Sequence, residues 1–137
     1  MSNPIRIAIA GAGGRMGQAL VASVLAAPDL SLAAALDVPG SASIGRDAGA
    51  PLGRTTGVEV GADVDSALGR ADVLIDFTRP AGTLAHLAAC VKAGKPLVVG
   101  TTGFEPEQME ALRAGASKVP VVLAPNFSIG VNVALKL

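Results

Sequence analysis

Apolar runs bounded by turn residues alternate along the chain with segments of helical period. Ile5–Ala10 (IRIAIA) predicts a buried strand, and residues 15–27 predict a helix with Met16, Leu20, Val21, Val24 and Leu25 on one face. Pro28 and Asp29 stop that helix, and Leu30–Leu36 (LSLAAAL) predicts a second strand. Residues 38–56 hold Gly, Pro and Ser without a sustained period and predict a long loop, of a length usually functional or mobile. A short strand is expected at 58–60, then a helix capped by Asp63 and running through Gly69.

The second half repeats the alternation. Residues 73–77 (VLIDF) predict a buried strand. Pro80 suits a first helical position, Leu84, Leu87, Ala88 and Val91 share a face, and Gly94 closes the helix. A strand at 96–100 and a turn at 101–105 lead into a helix at 106–117 with Met109, Leu112 and Ala116 on one side. A strand at 119–124 and a loop at 125–132 that opens a final helix complete the reading. Strands alternating with amphipathic helices define an α/β fold: a doubly wound parallel sheet covered on both faces.

Composition narrows the function classes. Eleven basic and eleven acidic residues give a net charge of zero, which supplies no attraction for nucleic acid or an anionic membrane. Three Phe with no Trp or Tyr leave no stacking platform for single strands. One cysteine excludes an internal disulfide framework and a Cys-rich metal site, and fits a reducing, cytoplasmic compartment. No apolar stretch is long enough to span a bilayer, and the polar residues 1–4 show no signal peptide.

Chemistry concentrates at the first strand–helix junction. Gly11, Ala12, Gly13, Gly14, Arg15, Met16 and Gly17 follow a strand and open a helix. Glycines let the main chain turn sharply and approach phosphates, while the helix N-terminus offers free N–H groups and partial positive charge. The spacing fits Gly11-x-x-Gly14-x-x-Gly17 rather than strict G-x-G-x-x-G, because Met16 fills the third slot. Asp37 ends the second strand about 20 residues past this loop, where a carboxylate accepts from ribose hydroxyls in a Rossmann-like dinucleotide site. The competing reading is a turn-initiating Asp. Asp37 would repel a 2′-phosphate, and Val38 stands where an Arg could neutralise one, so NADH is favoured over NADPH.

Other candidates carry weaker signals. Arg15 and Arg79 start predicted helices, where a cation opposes the dipole and a bound phosphate would relieve it; solvated loop arginines are the alternative. Phe77 and Phe127 suit either cofactor contact or core packing. Asp76 reads as a structural hydrogen-bonding residue, and 101–103 (Thr-Thr-Gly) as a cap for the next helix. His86 reads as a solvated helix-surface residue and Cys90 as core packing; no metal cluster is apparent.

Segments 9–17 (IAGAGGRMG), 75–83 (IDFTRPAGT), 99–104 (VGTTGF) and 124–136 (APNFSIGVNVALK) occur in that order. Together they resemble the N-terminal half of the bacterial dihydrodipicolinate reductases, also called 4-hydroxy-tetrahydrodipicolinate reductases, over essentially the whole chain. The resemblance implies an NAD(P)H-dependent oxidoreductase of diaminopimelate and lysine biosynthesis, reducing 4-hydroxy-tetrahydrodipicolinate to tetrahydrodipicolinate. It implies that residues 11–16 hold the pyrophosphate and Asp37 the adenosine ribose. Gly100, Thr101 and Thr102 would line the nicotinamide side, with Ala124, Pro125, Asn126 and Phe127 flanking the ring near a hinge. Residues 1–124 would be the dinucleotide-binding domain, and 125–137 the hinge and start of a catalytic domain.

The family's His-rich catalytic stretch and Ser-Gly-Thr loop lie past Leu137, so no catalytic residue is carried over and a fragment without turnover is expected. The intact family members form homotetramers mainly through that other half. Val38 departs from the Arg common after the ribose carboxylate, which bears against efficient NADPH use. Two other readings stay open: a non-catalytic module that senses NADH or binds CoA, and another dehydrogenase such as one for aspartate or homoserine. Asp37 argues against the first, and the 77–80 and 126–132 segments against the second.

Overall fold

A computed structural model of the chain describes residues 3–123. Six strands, β1 (Ile5–Ala10), β2 (Leu30–Leu36), β3 (Val60–Gly61), β4 (Val73–Asp76), β5 (Leu97–Val99) and β6 (Val121–Leu123), form one sheet. Their order is β3-β2-β1-β4-β5-β6, with every pairing parallel. The order reverses between β1 and β4, and such a switch point opens a crevice at the carboxyl ends of the strands. Helices α1 (Arg15–Ala26), α2 (Val64–Arg70), α3 (Pro80–Ala93) and α4 (Pro106–Ala116) fill every connection except that between β2 and β3.

The period of two in each strand sorts the core into two layers. Ala8, Ala10, Ala34, Leu36, Leu74, Leu97 and Val99 face α2, α3 and α4. Ile7, Ile9, Ala35, Ile75 and Val98 share the other layer with Leu20, Val21 and Val24 of α1. Alanines on the first face let helices approach closely, and the larger β-branched residues fill the side that α1 covers. In β2 the register slips: Ile7 pairs with Leu32, but Ala8 pairs with Ala34. The extra residue, Ala33, is a β-bulge, and Ala33 and Ala34 accordingly pack on the same layer.

Some expected faces shift. Met16 is 38% exposed and does not join the buried face of α1, where Gly17 sits instead. Ala88 and Ala116 are exposed, and Gly115 takes the inner position against Leu87 because a larger residue would collide with the leucine. The strand expected at 58–60 lies at Val60–Gly61. Residues 58–60 are extended, but they bond antiparallel to the preceding loop, through Ala48 N–H to Val58 O and Val60 N–H to Arg46 O. Only the last of them reaches β2.

The β2–β3 connection has no α-helix, only a 3-10 turn at Ala50–Leu52. Asp47 organises it. Its carboxylate accepts from Gly49 N–H at 2.8 Å, Thr56 Oγ1 at 2.7 Å, Thr56 N–H at 3.0 Å and Gly57 N–H at 2.8 Å. These donors favour the ionised form, Gly49 N–H and the Thr56 hydroxyl foremost, and hold the carboxyl down at about 2. The loop therefore gains its full support from Asp47 above the ordinary value of 3.8 and loses it as pH falls toward about 2. In an acid titration followed by NMR, the Gly49, Thr56 and Gly57 amide shifts are expected to move together with a midpoint near 2. A midpoint at the ordinary carboxylate value would contradict this account of the loop.

Candidate functional site

The glycine loop sits at the switch point. Gly11 has φ +82°, a left-handed conformation that disfavours side chains, and its N–H and that of Ala12 both donate to Leu36 O at 2.9 Å. Gly17 lies under this turn: a Cβ there would overlap the Gly11 carbonyl oxygen and stand 2.7 Å from Ala12 Cα. Gly14, by contrast, has only the Gly11 oxygen at 3.6 Å near its missing side chain. The steric need in Gly11-x-x-Gly14-x-x-Gly17 thus falls on its first and last members.

Asp37 follows β2 directly and comes against this loop. Its Oδ2 accepts from Gly13 N–H at 3.2 Å and Ser41 Oγ at 3.1 Å, and its Oδ1 from Val38 N–H at 2.8 Å. Both readings of Asp37 hold geometrically, for it starts a turn and stands beside the glycines. Gln18 braces the loop from behind, with Nε2 donating to Ala12 O at 2.7 Å and Ala48 O at 3.1 Å.

The helix starts differ. Asp63 caps α2 through Ser66 N–H, with Asp65 in the first turn. Glu105 and Gln108 form a capping box on α4, with Glu107 nearby. That box corrects the expectation that 101–103 caps α4. The helices α1 and α3, which follow the two central strands, have neither a side-chain cap nor an acid in the first turn. Their free N–H groups are the kind that hold anions. Arg15 and Arg79 stand exposed at these starts and form no salt bridge among the described residues.

Across the crevice, Asp76 ends β4 fully buried. Its Oδ1 accepts from Thr78 N–H at 2.9 Å and Thr78 Oγ1 at 2.6 Å, in accord with the structural role expected of it. Its Oδ2 lies 2.6 Å from His86 Nδ1. His86 is therefore not a solvated surface residue: one helical turn past Thr83 it leans back to the end of β4, and its side chain is 19% exposed. Helical period alone could not show this, because the partner lies on another element. Thr101 is buried too, its hydroxyl oxygen accepting from Thr78 N–H at 3.1 Å and Thr83 Oγ1 at 2.8 Å. Its hydroxyl thus braces the β4–α3 loop from within, whereas Thr102 is exposed.

Phe77 packs on the α1-side layer and lies over Gly100, where any Cβ would strike the ring. Cys90 is buried, as expected, and desolvation pushes its thiol up to about 12. Ala124, Pro125, Asn126 and Phe127 lie outside the described residues. No metal-binding cluster of His, Cys, Asp and Glu occurs among the described residues, and no described helix is long and apolar enough to cross a membrane.

A six-stranded parallel sheet in this order, with a glycine turn and an acid-tipped β2 at the switch point, places the chain in the Rossmann-like α/β class. The family model for the N-terminus of dihydrodipicolinate reductase matches residues 5–127, and the chain belongs to that family. It is 55% identical over 133 residues to the 4-hydroxy-tetrahydrodipicolinate reductase of Cupriavidus necator, covering 97% of this chain and 50% of that protein. The Nitrosomonas europaea reductase is 49% identical over 134 residues, covering 98% and 50%. Dipicolinate-bound dihydrodipicolinate reductase from Paenisporosarcina sp. TG-14 superposes with a TM-score of 0.72 at 30% identity, covering 97% of this chain and 51% of that one. The chain thus spans about half the length of the curated relatives it matches.

Proposed function

We propose that residues 1–124 bind NADH across the carboxyl edge of the sheet. In this reading the chain is the cofactor half of a cytoplasmic reductase that converts 4-hydroxy-tetrahydrodipicolinate to tetrahydrodipicolinate. The observation that carries this reading is the Asp37 carboxylate hydrogen-bonded to the glycine loop at the switch point. The uncapped, acid-free start of α1 fits a pyrophosphate. Asp37 would accept from the adenosine ribose hydroxyls, Gly100 and Thr102 would border the nicotinamide, and Arg15 and Arg79 would add positive charge along the phosphates. NADH supplies the hydride equivalent when bound. The chain's own residues contribute placement: Gly11 lets the turn close against residues 77–78, Gly17 lets α1 pack under that turn, and the Asp76–Thr78–Thr101 bonds fix the facing loop.

Asp37 also sets the preference between the two nicotinamide cofactors. A carboxylate at the ribose opposes a 2′-phosphate, and Val38 beside it is 64% exposed and uncharged. NADH is expected to bind the chain saturably in calorimetry, more tightly than NADPH, with CoA failing to compete. Asp37→Ala is expected to weaken NADH roughly tenfold or more, because two charge-assisted hydrogen bonds are lost, and to narrow the gap to NADPH. No saturable NADH binding at millimolar concentration, or displacement by CoA, would overturn the reading. The latter would point to a nucleotide-binding module of another kind.

A further inference from the structure

A cavity of about 140 Å3 opens beside the glycine turn, lined by Gly11, Leu36, Asp37, Val38 and Thr78, and closed on one side by His86. Most of its wall is apolar, with few polar groups. Such a slot holds a flat aromatic group and lets a small number of polar atoms fix its identity. Resting on the dinucleotide reading above, the position next to Asp37 makes it the place for the purine attached to the ribose that Asp37 holds.

We propose that His86 selects adenine by accepting a hydrogen bond from its 6-amino group, with Asp76 fixing the imidazole tautomer. The argument starts at the buried end of the pair. Asp76 is fully buried, and its Oδ1 already accepts from the Thr78 N–H and hydroxyl. A carboxylate has acceptors only, so the 2.6 Å contact from Oδ2 to His86 Nδ1 places the hydrogen on Nδ1. The neutral ring then has its lone pair on Nε2, which makes no hydrogen bond to any described residue. Adenine presents an amino donor at C6, and hypoxanthine presents a carbonyl acceptor there. An Nε2 acceptor rewards the first base and faces acceptor against acceptor with the second. Asp76 is the positioning residue, and His86 is the group that touches the ligand.

The test titrates the 137-residue chain at pH 8.5 with NADH and with reduced nicotinamide hypoxanthine dinucleotide, whose purine has a 6-carbonyl in place of the amino group and a hydrogen on the adjacent N1. NADH is expected to bind roughly tenfold more tightly, the worth of one hydrogen bond plus an unsatisfied acceptor. His86→Leu is expected to close the gap between the two ligands, with NADH bound more weakly than by the unaltered chain and the analogue bound no more weakly. The two-ligand comparison on the unaltered chain stands even if that variant folds poorly. Equal binding of both ligands, or a His86→Leu variant that weakens both alike, would overturn this inference and leave the dinucleotide reading intact. Tighter binding of the hypoxanthine analogue would show Nε2 acting as a donor and overturn it as well. If neither ligand binds, the dinucleotide reading fails and this inference falls with it.

Discussion

Gly17→Ala is expected to cost about 3 kcal/mol of stability and to abolish measurable NADH binding. The new methyl group would meet main chain, the Gly11 carbonyl and Ala12 Cα, and not the movable end of a side chain. Relief requires either α1 to slide away from β1 or the glycine turn to swing outward. The first route loosens Leu20, Val21 and Val24 from the α1-side layer. The second disturbs the Gly11 and Ala12 N–H bonds to Leu36 O, and with them the contact between Gly13 and Asp37. Gly14→Ala is the control. Its Cβ would meet only the Gly11 oxygen at 3.6 Å, an ordinary contact, and Gly14 has φ −83°, which alanine adopts freely. That variant is expected to lose about 1 kcal/mol or less, the cost of alanine at an N-cap. Chemical denaturation and NADH titration of the pair decide the matter. Equal losses for both variants would refute the steric account of the loop.

The other large effect is expected at Asp76. Asp76→Ala removes the one oxygen that accepts from both the N–H and the hydroxyl of Thr78 and leaves the His86 ring without its partner. Breaking one side of such a buried arrangement costs about 3 kcal/mol, mostly as the penalty of stranded donors. Asp76→Asn keeps one oxygen for the two Thr78 donors and is expected to cost about half as much. An unfolding midpoint unchanged in the alanine variant would mean that the β4–α3 loop is held by other contacts. Because the Thr78 hydroxyl donates to Asp76 and either substitution alone breaks that bond, Thr78→Val combined with Asp76→Ala is expected to be less than additive.

Much of this architecture was legible in the chain. The alternation of apolar runs with amphipathic segments located the four helices of the described residues and the parallel sheet, since a strand buried on both faces must be apolar throughout. The glycine turn and Asp37 were legible because their function depends on residue type at a set place in a βα unit. What escaped detection was side-chain partnership across elements. Gln18, Thr83 and His86 look like ordinary helix positions until the ends of neighbouring strands are seen beside them. The loop between β2 and β3 has no period to read, and its order comes from one carboxylate, Asp47, collecting donors from residues up to ten positions away. The exposed Met16, Ala88 and Ala116 show the reverse error: an apolar residue in phase with a buried stripe can still face water at its margin.

Counting residues is an imperfect ruler for this crevice, and the irregularity in β2 shows why. Were residues 32–36 paired as a plain ladder with Ala33 in line, every position after it would reverse sides, and Leu36 would point toward α1 instead of toward α2 and α3. The acid at the strand's tip would then arrive half a pleat out of phase with the turn it now meets. The bulge at Ala33 takes up the extra residue and keeps the phase without lengthening the strand's paired neighbour. A relative lacking that residue would bring the same carboxylate to the same turn with an unbroken ladder, so the two chains would differ by one in residue count and not in the geometry of the crevice.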